Sequence, residues 1–209
     1  MRYGWIFCLI GITFAGVKEL ESYVQSGEYE KQLQQAVVQG TAKIKPLLRE
    51  EGVKWAAVFD VDETLLSNLG YMIPHRFIYD KDRFNQWTQS AQGQAIASVR
   101  ALYHDLQDQG ITMFVLTARP QKQCDITRYH LAQKGIKDYK QMICWQAKDP
   151  STLSAYKAHI RQQIIQAGYR LLVDVSDQAS DMANSPHAAV EIKLPNPFYT
   201  LDKHMPYHS

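Results

Sequence analysis

Residues 57–68 read AVFDVDETLLSN, and this stretch places three carboxylates directly after an apolar run. The run WAAVF at 55–59 is typical of a buried strand, and Asp60, Asp62 and Glu63 follow it at once. Buried carboxylates are unfavourable unless they are paired, hydrogen-bonded or bound to a cation. The stretch therefore allows two interpretations: a polar turn that caps a strand, or a metal and phosphate site.

Four further apolar runs of strand length follow along the chain: ITMFVLT at 111–117, QMICW at 141–145, YRLLVDV at 169–175 and AAVEIKL at 188–194. Helix-like stretches, such as ALYHDLQDQG before the first of these, separate them. Short apolar strands that alternate with helices predict an α/β fold, a three-layer Rossmann-like parallel sheet covered on both faces. In such sheets ligands bind beyond the carboxyl ends of the strands.

Two segments depart from this alternation. Residues 17–51 are polar and helix-prone, and possible breaks at Gly27 and Gly40 predict an N-terminal helical extension of two helices or a bent pair. Residues 68–94 form an insert after the first strand that is rich in aromatic residues and too long for a simple connection. We predict a small helical, aromatic cap over the strand ends there, with an irregular surface loop as the alternative.

The N-terminus has the pattern of a secretory signal peptide, with one basic residue, an apolar core and small residues near Ala15 and Gly16. The apolar run is too short to span a bilayer comfortably, and an ordinary buried helix is the alternative. We therefore predict a signal peptide at 1–16, a single domain at 17–209, no stable membrane anchor, and a secreted or periplasmic location. The net charge of +2 gives no indication of a nucleic-acid partner.

Removal of the signal peptide would leave two cysteines, Cys124 and Cys144. An exported protein can join such a pair in a disulfide. The sequence does not give the distance between the two side chains that a disulfide requires. Two unpaired buried thiols are therefore the working expectation.

Further reactive side chains fall at the ends of the predicted strands. Asp60 and Asp62 are two apart and would point to one side of an extended segment. Thr117 ends the second strand, and its hydroxyl can donate to a phosphate oxygen. Asp177 and Asp181 follow the fourth strand at a spacing of four, which puts both on one face of a helical turn. With Lys157, which precedes that strand, these groups are expected at one edge of the sheet.

The motifs GEYEKQL, FDVDETLLSN, FVLTARP, AYKAHIR, SDQASDM and KLPNPFY occur in this order across residues 17–201. As an ordered set they resemble the haloacid-dehalogenase-like phosphohydrolases. The resemblance is closest to the class-B-like acid phosphatase branch, which includes bacterial secreted or lipoprotein acid phosphatases and plant vegetative storage proteins. The resemblance implies an exported, Mg²⁺-dependent acid phosphatase that hydrolyses small phosphate monoesters.

The resemblance also implies roles for the acidic residues. Asp60 is the expected nucleophile, ionised at acidic pH because an ordinary aspartate titrates near ~3.9, and it would form an aspartyl-phosphate. Asp62 is the expected general acid and base, a role for which we expect a raised pKa. Asp60, the backbone carbonyl of Asp62, and Asp177 are the expected Mg²⁺ ligands, with Asp181 in support.

Other roles complete the implied site. Thr117 and Lys157 would hold the phosphoryl oxygens. Tyr71, Trp87 and Tyr199 are the candidate aromatic contacts to a substrate, and rings of this kind would suit nucleoside monophosphates or aryl phosphates.

Two positions depart from the family pattern. Ser176 stands where the family usually has glycine, and it would crowd the loop if its backbone required a positive φ. Asp174 stands where the family tends to have asparagine, and it is expected either to strengthen metal binding or to act as a structural polar group. A non-catalytic storage or binding protein on the same scaffold, or a phosphotransferase, therefore remain as alternatives.

Overall fold

A computed structural model of the chain describes residues 16–146 and 152–200, so the predicted signal peptide lies almost entirely outside the described residues. The helices are α1 Val17–Gln25, α2 Glu28–Ile44, α3 Leu69–Met72, α4 Lys81–Gln89, α5 Ala97–Asp108, α6 Cys124–Gln133, α7 Leu153–Gln166 and α8 Ala179–Met182. The strands are β1 Trp55–Phe59, β2 Leu66–Ser67, β3 Gln94–Ala95, β4 Thr112–Pro120, β5 Gln141–Trp145, β6 Arg170–Ser176 and β7 Val190–Lys193. Within these two ranges, no helix combines the length and apolar character that crossing a membrane requires.

The central sheet has the strand order β5-β4-β1-β6-β7, and every pair of neighbours in it is parallel. The predicted α/β fold with five parallel strands is thus confirmed. Strand β1 lies in the middle, between β4 and β6. The carboxyl ends of these three strands therefore meet at one edge of the sheet, and this edge is where the predicted site residues fall.

The strands are apolar on both sides because helices cover both faces of the sheet. Ala57 and Phe59 of β1 belong to the hydrophobic core that α2, α5 and α6 complete on one face. Ala56 and Val58 belong to a second core, which side chains of α7 complete on the other face. This three-layer arrangement explains why the runs read as continuously apolar rather than alternating.

The N-terminal extension consists of α1 and α2, as predicted, and Gly27 separates them with a φ of 78°. The predicted break at Gly40 is wrong, because Gly40 is buried in the interior of α2. A Cβ atom at this position would lie 2.2 Å from Cδ1 of Ile192 in β7. The glycine therefore allows a close approach of helix to sheet, which a sequence pattern cannot distinguish from a helix stop.

The insert after β1 is helical and aromatic, as predicted. The short strands β2 and β3 pair antiparallel and close its base, and α3 and α4 lie between them. Asp80 caps the N-terminus of helix α4, and its side chain accepts a hydrogen bond from the backbone N–H of Arg83. Such an N-cap satisfies one of the free donors in the first turn, so the sequence fixes the start of this helix locally.

Cys124 and Cys144 form a disulfide, which corrects the expectation of two unpaired thiols. Cys124 begins α6 and Cys144 lies in β5. Helix α6 packs on β5, and this packing brings the two Cα atoms to 6.0 Å, a usual separation for a disulfide. The distance arises from tertiary packing, so the sequence does not reveal it.

Candidate active site

Three carboxylates meet beyond the central strands of the sheet. Asp60 follows β1 directly, and its N–H donates to the carbonyl of Val175 in β6. Asp177 follows β6 directly, and Asp181 lies in α8. Each offers a carboxylate oxygen within 4.8 Å of those of the others, and all three residues are buried. The structure thus brings Asp60 together with two acids that lie 117 and 121 positions later in the sequence.

Lys157 of α7 reaches into the same cluster. Its Nζ donates to Oδ1 of Asp60 at 2.7 Å and to Oδ2 of Asp181 at 2.6 Å. The Oγ of Ser176 also donates to Oδ2 of Asp181. Within the described part of the chain, the other oxygen of Asp181, Oδ1, is buried without a hydrogen-bond partner. A buried carboxylate oxygen without a donor is unfavourable unless something positive binds it.

The cluster fits a divalent cation on charge as well as on ligand type. If all three acids are ionised, the ammonium of Lys157 leaves two negative charges uncompensated in a buried place. Mg²⁺ prefers such oxygen ligands. The side chain of Asp62 is not part of this cluster, so only its backbone carbonyl remains as the predicted ligand from that residue.

Burial, together with the neighbouring negative charges, raises the pKa values of two acids in the cluster. Burial, which Lys157 opposes, and the carboxylates of Asp181 and Asp177 raise the pKa of Asp60 well above its usual value. Burial and the neighbouring Asp181 raise the pKa of Asp177 to about 7. The expectation that Asp60 titrates as an ordinary aspartate is therefore wrong for the protein without a cation. Further positive charge beside it, in addition to that of Lys157, favours its ionised form.

Asp62 lies at the same edge but has a different partner. The guanidinium of Arg119, at the end of β4, binds it through Nη2–Oδ1 at 2.7 Å and Nε–Oδ2 at 3.0 Å. Burial tends to raise the pKa of Asp62, but the charge and hydrogen bonds of Arg119 outweigh it and lower this pKa. The expected raised pKa of Asp62 is thus wrong in this structure. The sequence shows Arg119 in FVLTARP without showing which carboxylate it meets.

A hydrogen-bond network behind Asp62 joins the site to the insert, and the sequence pattern does not predict it. The Nδ2 of Asn68 donates to Asp62 at 2.8 Å and to Glu63 at 3.1 Å, while its Oδ1 accepts from Nε1 of Trp87 at 2.9 Å. Glu63 has a positive φ of 49° and also accepts from the hydroxyl of Tyr199. Burial and the nearby Asp62 raise the pKa of Glu63 to about 7.

Thr117 is fully buried and lies three residues before the end of β4. Its Oγ1 accepts a hydrogen bond from the backbone N–H of Arg119 at 3.1 Å. A threonine hydroxyl has one proton to donate in addition to such an acceptor role. Thr117 is not among the residues that line the cavity bounded by Asp60, Asp177 and Asp181, so its contact with a phosphoryl oxygen stays a prediction.

Aromatic side chains form one wall of the cavity above the acids. The cavity is lined by Asp60, Asp62, Tyr79, Phe84, Ala118, Lys157, Asp177, Gln178, Asp181 and Tyr199. The ring centroids of Tyr79 and Tyr199 are 5.8 Å apart, and those of Tyr79 and Phe84 are 5.1 Å apart. Of the three predicted aromatic contacts, the cavity lining includes Tyr199 and not Tyr71 or Trp87.

Tyr71 and Trp87 instead organise the insert. The hydroxyl of Tyr71 accepts from the N–H of Asp80 and donates to its carbonyl, while Trp87 binds Asn68. Both rings also pack within the insert, with Tyr71 against Phe84. The abundance of aromatic residues in this segment indicates a cap, but it does not reveal which rings point toward the acids.

Asp174 and Ser176, the two departures from the family pattern, are accommodated in β6. Asp174 pairs with Nη1 of Arg161 at 3.4 Å and lies outside the carboxylate cluster. Arg161 also donates to the backbone carbonyls of Asp181, Asn184 and Pro186, so the pair holds the segment that carries Asp181. Ser176 does not have a positive φ, and the crowding considered for it does not arise.

Comparisons with known proteins show which family the chain belongs to. The family described as HAD superfamily, subfamily IIIB (acid phosphatase) matches residues 12–202. Acid phosphatase 1 of Solanum lycopersicum is 34% identical over 148 residues, which cover 69% of this chain and 58% of that protein. Vegetative storage protein 1 of Arabidopsis thaliana is 26% identical over 146 residues, or 68% of this chain and 54% of that protein. The chain thus spans a little over half the length of these relatives.

A solved structure shows the same fold. The class C acid phosphatase from Bacillus anthracis superimposes with a TM-score of 0.71 over 86% of this chain and 83% of that one, at 18% sequence identity. An identity this low supports the fold alone, whereas the family match extends over nearly the whole chain. The resemblance inferred from the motifs is confirmed, and the chain belongs to subfamily IIIB of the HAD superfamily, the acid phosphatase subfamily.

Proposed function

We propose that the chain is a Mg²⁺-dependent phosphomonoesterase that forms an aspartyl-phosphate at Asp60. The observation that carries the proposal is the cavity in which Asp60, Lys157, Asp177 and Asp181 converge with Asp62 at their side. Asp60, Asp177 and the carbonyl of Asp62 would hold the cation, with Asp181 in support. A bound Mg²⁺ supplies positive charge that favours ionised Asp60 and offsets the charge on the phosphoryl oxygens.

In the first step, a carboxylate oxygen of Asp60 attacks phosphorus while the bond from phosphorus to the leaving oxygen breaks. Asp62 gives its proton to that oxygen. In the second step Asp62 takes a proton from water, the water oxygen attacks phosphorus, and Asp60 leaves with its carboxylate restored. Lys157, which lies 2.7 Å from Oδ1 of Asp60, is within reach of a phosphoryl group beside it.

The pairing of Asp62 with Arg119 suits its function as a base more directly than its function as an acid. Arg119 favours the ionised carboxylate, which is the form that accepts a proton from water. An incoming phosphate dianion is a like charge beside Asp62, and it raises the pKa of this carboxyl. Acidic solution then supplies the protonated form that the first step requires, which is consistent with a phosphatase that works best in acid.

The aromatic wall supports the substrate class that we propose. Tyr79, Phe84 and Tyr199 surround the space next to the acids, and stacked or edge-on rings are well suited to a nucleobase or an aryl group. We expect nucleoside monophosphates and aryl phosphates to have lower KM values than glycerol phosphate. Equal KM values for a nucleoside monophosphate and glycerol phosphate would contradict this assignment.

Export is part of the same proposal. The apolar N-terminal run resembles a signal peptide, and a disulfide between Cys124 and Cys144 suits an oxidising compartment. Intact-mass measurement of protein recovered from the medium or periplasm tests this directly. We expect a mature chain that begins near Val17, and an unprocessed, cytosolic chain would contradict export.

A storage or binding protein is the second candidate, because some relatives are named vegetative storage proteins. Intact Asp60 favours the enzyme. The test is release of p-nitrophenol from p-nitrophenyl phosphate by the purified chain with Mg²⁺, across the acidic and neutral range. Asp60→Asn is expected to lower the rate at least about 10³-fold, while Asp105→Asn on the exposed face of α5 leaves it unchanged. A folded, Mg²⁺-binding chain without turnover on any phosphomonoester would favour storage.

A further inference from the structure

The segment Pro195–Tyr199, here called the C-terminal strap, follows β7 and has no regular secondary structure. It nevertheless contacts the acid cluster, the insert and the N-terminal extension. Phe198 stacks on Phe77 of the insert at a centroid distance of 5.3 Å and meets Tyr29 of α2 edge-on at 5.0 Å. Tyr199 lines the cavity and donates its hydroxyl to Glu63. The strap is thus held from several directions beside the site.

Asn196 of the strap contacts one of the proposed metal ligands. Its Nδ2 donates to Oδ2 of Asp177 at 2.6 Å. The same carboxylate oxygen accepts from the side-chain amide of Gln178. Two donors on one oxygen restrict the rotation of the carboxylate, so its orientation toward Asp60 and Asp181 is set before a cation arrives.

The other end of the Asn196 side chain organises the strap itself. Its Oδ1 accepts from the backbone N–H of Phe198 at 2.9 Å and of Tyr199 at 3.4 Å. The two ends require opposite hydrogen-bonding character, since the carboxylate needs a donor and the N–H groups need an acceptor. An amide side chain meets both requirements at once, and neither aspartate nor leucine of similar size does so.

We propose that Asn196 is a positioning residue that fixes Asp177 for cation binding and couples it to the aromatic wall through Tyr199. The inference rests on the proposed function, since it assigns Asn196 to the same metal site. Outer hydrogen-bond partners of metal-binding carboxylates hold the ligands in place, and their loss typically weakens metal binding about 10- to 100-fold. Asn196 thus joins the carboxylate of Asp177 to the backbone of Tyr199 in the cavity wall.

The experiment measures Mg²⁺ binding by isothermal titration calorimetry, without substrate, on the purified chain. Asn196→Ser removes the donor to Asp177 and retains a hydroxyl that can accept from the following N–H groups, and Asn196→Ala removes both contacts. We expect both variants to raise the Kd for Mg²⁺ about 10- to 100-fold. Thr200→Ala, an exposed position next to the strap, is the matched control and leaves the Kd unchanged.

Activity toward p-nitrophenyl phosphate distinguishes a loss of Asp177 orientation from a general disruption of the site. With saturating Mg²⁺, kcat of Asn196→Ser is expected to return to within about twofold of the wild-type value, because the metal restores the orientation of Asp177. Asn196→Ala is expected to keep a raised KM, since Tyr199 has lost its backbone anchor. Tyr199→Phe, which keeps the ring, is expected to bind Mg²⁺ as the wild type does.

The results of these experiments can reject the role of Asn196 separately from the proposed phosphatase function. An unchanged Kd for Mg²⁺ in folded Asn196→Ser, beside an active wild type, would overturn the role of Asn196 and leave the phosphatase proposal standing. A kcat that stays low at saturating Mg²⁺ would likewise reject positioning of the metal ligand. A wild type that neither binds Mg²⁺ nor turns over phosphomonoesters would overturn both proposals.

Discussion

The ion pair between Arg119 and Asp62 makes a prediction that can be worked out from the structure. The side chain of Arg119 is fully buried and that of Asp62 is 12% exposed. Arg119→Met keeps most of the side-chain volume but leaves a buried carboxylate with Asn68 as a remaining partner. Removal of one partner of a buried pair destabilises a protein by about 3–5 kcal/mol. For a chain of this length, that corresponds to a decrease in Tm of about 6–20 °C.

The assay is urea unfolding at neutral pH, with Asp62→Asn and the double variant Asp62→Asn/Arg119→Met completing a cycle. The double variant is expected to lose less stability than Arg119→Met alone, because it no longer buries an unpaired charge. The reasoning would be refuted if Arg119→Met lowered the free energy of unfolding by less than about 1 kcal/mol. It would also be refuted if the loss in the double variant equalled the sum of the losses in the two single variants.

The same pair has a defined pH dependence. Arg119 lowers the pKa of Asp62 in the folded protein, against the opposing effect of burial. The contribution of the pair is therefore present above the ordinary aspartate pKa of 3.8 and is lost as the pH falls through the lower folded-state value. The stability difference between the wild type and Arg119→Met is expected to shrink in strong acid. If this stability difference stays constant into strong acid, the ion pair is not the cause of the lower stability of Arg119→Met.

Three further predictions concern stability. Replacement of Cys124 and Cys144 by serine is expected to destabilise the chain by about 3 kcal/mol, given their separation of 20 residues, and an unchanged urea midpoint would exclude the disulfide. Gly40→Ala is expected to destabilise by about 1–3 kcal/mol through the contact with Ile192. Ile192→Ala removes both carbon atoms with which the added methyl group would clash, so the double variant should lose less stability in urea than the sum of the two single variants. The metal-free protein should lose stability as the pH rises from 3.8 through about 7, because the pKa of Asp177 is raised in the folded state. The measurement is the Tm in EDTA at about pH 5 and about pH 8. Equal Tm values at the two pH values would contradict the prediction.

Much of the fold and of the acid cluster can be predicted from the sequence. The short apolar runs identify the strands, and parallel strands deliver Asp60, Thr117 and Asp177 to one edge because their carboxyl ends coincide. Asp181 follows from its spacing of four residues after Asp177. These predictions depend on local pattern and on one rule of sheet architecture, so they need no knowledge of side-chain packing.

The remaining features depend on contacts between distant segments. The sequence shows Arg119 and Asn196 but not that they bind Asp62 and Asp177. It shows many aromatic residues in the insert, and only packing decides that Tyr79 lines the cavity while Trp87 turns to Asn68. Hydrogen bonds of this kind join residues far apart in the chain, and no periodicity or spacing records them.

The covalent intermediate tests the central claim most directly. The purified chain with Mg²⁺ is mixed with p-nitrophenyl phosphate, quenched in acid within the first turnover, digested and examined by mass spectrometry. We expect the mass of one phosphoryl group on the peptide that contains Asp60, and its disappearance in Asp60→Asn. A turning-over enzyme that never carries this group on Asp60, or that carries it on another residue, would contradict the account.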